Sequence, residues 1–237
     1  MTDFVLVHGA WHGAWCWKHV QASLCAAGHR VFAVTLSGVG ERAHLGPQGI
    51  SLATHVQDVA AVIEAEELRD AVLVGHSYAG MVITGVADRL AGAPSRPLAC
   101  LAYLDAVVPR PGESWSSTHD AQTQRDRRAA IARAGVIAPP ADLSSFGLVG
   151  EARDWVARHL TPQPGGVYDA PLQFDAARVA SLRRIFIDCH APALATIATS
   201  RERVRAEPGW SVVSIATGHD PMASAPQALA RALLELA

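Results

Sequence analysis

A chain of 237 residues, half of them hydrophobic, can bury enough apolar surface for one large domain. Twenty Lys and Arg against 22 Asp and Glu leave a formal net charge of -2, which excludes the strong positive field that draws proteins to nucleic acid or anionic membrane. Small, mostly neutral substrates fit such a surface better, and no apolar stretch approaches the ~20 residues of a bilayer span.

In chain order, Met1 to Asp3 lead straight into the apolar run Phe4-Val5-Leu6-Val7 with no basic leader or cleavage site, so a cytoplasmic protein is expected. Further short apolar runs follow at Arg30–Leu36, Ala71–Gly75, Ala99–Asp105, Ile185–Cys189 and Ser211–Ala216. Between them, 14–27, 52–67, 78–91 and 224–236 carry Ala, Leu and Val at helical spacing. Strands that are apolar throughout and alternate with helices predict an α/β domain, a doubly wound parallel sheet covered on both faces. The alternation breaks at 109–183, where seven prolines punctuate short helical patches containing Trp115, Phe146 and Trp155. This segment reads as a helical cap over the carboxyl edge of the sheet, where open α/β sheets bind ligands; 1–108 and 184–237 form the core. The arginines Arg125, Arg127, Arg128 and Arg133 within it read as a solvated helix face. Cys16, Cys25, Cys100 and Cys189 contain no close pair for a zinc or redox site and read as free buried thiols.

The strongest local signal is Val72-Leu73-Val74-Gly75-His76-Ser77-Tyr78-Ala79-Gly80, a buried strand that turns sharply into a helix around a serine. This is a nucleophile elbow, in which the strained turn demands small residues two before and two after the serine, here Gly75 and Ala79. Acyl transfer through Ser77 requires donors for a tetrahedral oxyanion. The backbone N–H of Tyr78 supplies one, and the loop His8-Gly9-Ala10-Trp11-His12-Gly13 after the first strand supplies the other, for which Ala10 is nominated. His8 and His12 have the i, i+4 spacing of helical metal ligands, but Gly9 and Gly13 argue against a helix, so both read as structural histidines and no metal is expected. His219, in Gly218-His219-Asp220-Pro221 after the last strand, is placed to act as general base.

These segments, with Gly38-Val39-Gly40-Glu41-Arg42-Ala43-His44-Leu45, resemble the small α/β hydrolases that include plant methylesterases, hydroxynitrile lyases and bacterial pyrethroid or carbamate hydrolases, the bacterial enzymes being nearest. The resemblance runs through the core and is faint over 112–183. It implies a six-stranded parallel sheet, a helical cap, no cofactor and a homodimer. It also implies an Asp after the penultimate strand, where Ile185-Phe186-Ile187-Asp188-Cys189-His190-Ala191-Pro192 offers Ala191 or Pro192. Asp105, at the end of the preceding strand, is the first candidate for the acid; Asp188 is the alternative, and a Ser–His dyad the third reading.

The expected activity is hydrolysis of a small neutral ester, or of a carbamate ester of an aromatic amine. Trp11, His12, Trp115 and Trp155 are the candidates for the substrate pocket, with Trp15 and Trp17 as further tryptophans that could make it aromatic. Two rival functions stay open: cyanohydrin cleavage, and a ligand-binding receptor built on a hydrolase scaffold. The first resembles a site with Lys after the catalytic His and Thr after the first-strand His, positions held here by Asp220 and Gly9.

Overall fold

A computed structural model describes residues 1–237. Six parallel strands, β1 (Asp3–Val7), β2 (Arg30–Val34), β3 (Ala71–His76), β4 (Leu98–Leu104), β7 (Arg183–Cys189) and β8 (Trp210–Ile215), form one sheet in the order β2-β1-β3-β4-β7-β8. The short strands β5 (Val136–Ile137) and β6 (Gln163–Pro164) pair separately, as an antiparallel ladder. Each inner strand sends alternate side chains to opposite cores. Phe4, Leu6, Val72 and Val74 pack with Trp17 and Leu24 under α1 (Lys18–Ala26) and α9 (Pro226–Leu234). Val5, Val7 and Leu73 pack with Val59 and Ile83 under α2 (Leu52–Ala65) and α3 (Ala79–Leu90). This two-sided burial is why the strands read as unbroken apolar runs.

The chain runs outward from β1 to β2 and then crosses back to place β3 on the other side of β1, so a crevice opens at the carboxyl ends of β1 and β3. His8 to Ala10 and Ser77 to Tyr78 leave the sheet at that point. Between β4 and β7 the chain rises above this edge as α4 (Ala121–Ala134), α5 (Gly150–His159), α6 (Ala176–Ala180), the β5–β6 ladder and several single turns. It returns to β7, beside β4, and ends through α7 (Ala198–Ala206), β8, the short α8 (Pro221–Ser224) and α9. No helix is long and apolar enough to cross a membrane. Cys16, Cys100 and Cys189 are buried free thiols as expected, but Cys25 is exposed, because it lies on the outer side of α1 opposite Leu24.

Candidate active site

Ser77 sits between β3 and α3 with φ +55°, a left-handed conformation that lifts its side chain out of the sheet. The turn is tied on both sides: the Ser77 N–H donates to the Leu104 carbonyl at 3.2 Å, and the Val107 N–H donates to the Ser77 carbonyl at 3.0 Å. A Cβ on Gly75 would stand 2.8 Å from the Ala79 carbonyl oxygen, and one on Gly80 only 1.9 Å from that of Val107. The elbow therefore closes only with hydrogen at both positions. The loop after β1 presses onto it from the other side, bringing Ala10 and Tyr78 to the crevice. Neither the Ala10 nor the Tyr78 N–H has a protein acceptor, so both stay available to a ligand oxygen.

His219 reaches over the sheet edge from the loop after β8. Its Nε2 accepts from the Ser77 hydroxyl at 2.9 Å, and its Nδ1 donates to Asp105 Oδ2 at 2.7 Å. Asp105 is fully buried at the end of β4 with φ +40°, and its N–H donates to the Ile187 carbonyl at 2.8 Å, which holds the carboxylate toward His219. Its second oxygen accepts from Arg201 Nη2 at 2.5 Å.

Asp188, the alternative acid, is engaged elsewhere. It points from within β7 to Arg201 at 2.7 Å and Arg205 at 2.5 Å, and only Asp105 bonds the imidazole. One guanidinium thus bridges the two carboxylates, and Arg201 also donates to the carbonyls of Leu194 and Cys189. Sequence reasoning missed Arg201. Ile197, Arg201 and Val204 are all buried on α7 or the turn before it, and that i, i+4, i+7 spacing was the available signal that this arginine faces inward.

Behind His219 lies a second buried polar group. His76 Nε2 donates to the His219 carbonyl at 2.8 Å, and the Asp220 carboxylate lies 3.4 Å from His76 Nε2 and 3.3 Å from His12 Nε2. Burial alone would raise the Asp220 pKa, but the facing imidazoles, His12 foremost, pull it down to about 2. Burial disfavours a charge on His12 as well, yet Asp220 outweighs it and raises the His12 pKa; His76, where burial dominates and His219 adds to it, is held well below the ordinary value. His12 Nδ1 donates to the Ala10 carbonyl at 2.8 Å, fixing the loop that carries the Ala10 N–H. His8 donates from Nδ1 to the Gly9 carbonyl and accepts the Leu36 N–H at Nε2, and burial lowers its pKa to about 3. His8 and His12 therefore have backbone partners and do not converge on a common point. The trio His76, His219 and Asp220 does converge within 4.8 Å, but it includes the imidazole that bonds Ser77.

A cavity of about 470 Å³ opens above Ser77 and His219. Trp11 and Trp115 line it, together with Phe146, whose ring centroid lies 5.3 Å from that of His219. Two other pocket candidates lie outside it. His12 is buried behind the Ala10 loop, stacked on Trp15 at 5.3 Å, and Trp155 packs edge-on against Trp15 at 5.2 Å on the outer flank of α1. Trp17 is sealed in the lower core. Arg127 departs from the expected solvated face. It turns inward to line the cavity, while Arg125 and Arg128 bond Gln122 and Asp169 on the exposed side of α4.

Comparison with known proteins agrees with this fold. The model of the alpha/beta hydrolase family matches residues 4–232. The carbendazim hydrolyzing esterase of Nocardioides sp. (strain SG-4G) is 41% identical over the full length of both chains. Methylesterase 3 of Arabidopsis thaliana is 28% identical over 98% of this chain and 95% of its own. Among solved structures, a pyrethroid hydrolase from Sphingobium faniae JZ-2 superposes with a TM-score of 0.71 at 24% identity, covering 99% of this chain and 96% of the other, which is a likeness of fold.

Proposed function

The chain belongs to the alpha/beta hydrolase family, and on that premise we propose that it is a cofactor-independent serine esterase that cleaves a small neutral ester, or a carbamate ester of an aromatic amine, through an acyl-enzyme on Ser77. The observation that carries this reading is the continuous chain Asp105–His219–Ser77, with bonds of 2.7 and 2.9 Å, beside two unpaired backbone N–H groups.

In this mechanism Ser77 Oγ attacks the acyl carbon while His219 Nε2 takes the hydroxyl proton, and the negative charge moves to the former carbonyl oxygen. The N–H groups of Ala10 and Tyr78 receive that oxyanion, and they need no rearrangement because they are already free and fixed by the elbow and the His12 bond. The C–O bond to the leaving alcohol then breaks, and His219 returns its proton to that oxygen. A water molecule, deprotonated by the same imidazole, repeats the sequence and releases the acid. Asp105 keeps the Nδ1 proton in place and offsets the charge that His219 acquires at each step. The names of the relatives, esterases of bacterial and plant origin, support ester cleavage. Cyanohydrin cleavage is less well served, because Asp220 turns away from the cavity onto His12 and His76, and Gly9 offers no hydroxyl.

A fluorophosphonate should label Ser77 stoichiometrically, and a screen of p-nitrophenyl esters, aryl carbamates and pyrethroids should find turnover that Ser77→Ala abolishes. An unlabelled serine together with inactivity across the screen would overturn the reading.

A further inference from the structure

Arg127 is a cation without an anion. Its guanidinium carbon lies 5.4 Å from the Trp11 ring, 5.0 Å from Trp115 and 5.5 Å from Tyr168, so three aromatic faces surround it. Its guanidinium donates from Nη1 to His119 Nε2 at 2.9 Å, and the Tyr168 hydroxyl is a second, weaker oxygen partner. That imidazole accepts the bond as the neutral form; burial, helped by the Arg127 charge, lowers its pKa to about 4. The carboxylates on and beside α4 have other partners, and Asp126 does so although it lines the same cavity. Asp120 caps the helix by accepting from the Gln122 and Thr123 N–H groups, Asp126 is exposed and accepts from Gln122, and Asp169 pairs with Arg128. The other inward arginines behave differently: Arg201 and Arg203 each meet a carboxylate.

Leaving a partly buried guanidinium unpaired is costly unless its remaining N–H donors meet something that enters the cavity. Arg127 and His119 line the same cavity as Ser77 and His219, and the wall around them is aromatic, so an oxygen acceptor there would bond the guanidinium away from bulk water. We propose that Arg127, seated against Trp11, Trp115 and His119, forms an acceptor subsite that takes a carbonyl or carboxylate oxygen at the end of the substrate remote from its scissile ester. The inference rests on the esterase reading for its link to turnover, but binding at the subsite does not need the chemistry.

Three phenyl esters of matched acyl length test it: phenyl pentanoate, phenyl 4-oxopentanoate and the monophenyl ester of succinic acid. Phenol release gives kcat/KM, and calorimetric titration of Ser77→Ala gives affinity without turnover. The esters with a remote oxygen should exceed the pentanoate about ten- to hundredfold in both measurements, the range of a hydrogen bond to a charged group. Arg127→Met should collapse that ratio toward one, and Arg127→Lys should restore part of it. A ketone equal to the carboxylate identifies a neutral acceptor, and a carboxylate far ahead identifies an ionic one. If the pentanoate is the best ligand, or if the ratio survives in Arg127→Met, the subsite is wrong although the esterase stands. If none of the esters is cleaved while Ser77→Ala still ranks them through Arg127, the esterase reading fails and the subsite stands.

Discussion

Asp105→Asn isolates what the acid does, because Arg201 dictates how the new amide must sit. Arg201 Nη2 donates to Oδ1 at 2.5 Å and His219 Nδ1 approaches Oδ2 at 2.7 Å. Asparagine has one oxygen and one NH2 for those two places, and the guanidinium, donor only, takes the oxygen. The NH2 then faces His219 Nδ1, which must become the acceptor, so the imidazole carries its proton on Nε2 and cannot receive the one from Ser77. The wrong tautomer in a serine protease triad costs about 10⁴ in kcat, equivalent to about 5 kcal/mol of transition-state stabilisation. We expect that loss on a p-nitrophenyl ester, with KM little changed and a cooperative thermal melt retained, since Arg201 still holds Asp188. A variant that keeps turnover within tenfold of the parent would refute Asp105 as the orienting acid and leave a Ser–His dyad.

Asp188→Asn should leave turnover within about threefold while lowering the melting temperature, because its carboxylate serves the arginines and not the imidazole; a thousandfold loss would restore it as the acid. Arg201→Met should destabilise the fold by about 3–5 kcal/mol in urea titration, as two buried carboxylates lose their shared cation. Gly80→Ala should cost about 3 kcal/mol or fail to fold, since its Cβ would overlap the Val107 carbonyl at 1.9 Å; a neutral effect would contradict the close approach of α3 to the β4 loop. His8, His55 and His76 are buried with pKa values lowered to about 3, about 4 and well below the ordinary value, chiefly by burial. They are neutral when folded and charged when unfolded below the ordinary pKa of 6.5, so their contribution is complete above that pH and is lost as pH falls toward the folded values. With His119, lowered to about 4 in the same way, four such groups give a slope of about 5 kcal/mol per pH unit near pH 5, and a melting temperature flat from pH 7 to 5 would refute it.

Much of the fold is legible in the sequence because strands buried on both faces cannot hide: the runs at Phe4 and Val72 stay apolar through both side-chain directions. Ser77 and His219 lie on local motifs whose chemistry is written within a few residues. Asp105 is legible by its strand-end position and by the lack of a carboxylate at 191–192. What locks it is not, since Arg201 lies 96 residues away and only the adjacency of β4 and β7 brings the two together. The pocket is the least legible part. Trp11, Trp115 and Trp155 look alike in sequence, but cap packing alone decides that two line the cavity and one packs on the outside. Arg127 looks like its neighbours Arg125 and Arg128 for the same reason: a step of one or two residues around α4 separates a cavity wall from solvent.

Seating the proposed acid, Asp105, at the end of β4 has a consequence for how this protein can change. The segment after β7, relieved of holding a carboxylate against His219, contributes Leu194 and Thr196 to the cavity wall instead. In the proposed mechanism, substrate preference and proton transfer fall on separate stretches of chain. Variation at 190–196 that preserves the Leu194 carbonyl's bond to Arg201 can reshape what the cavity admits without disturbing the triad, which makes this loop the natural place for divergence or directed evolution toward new esters.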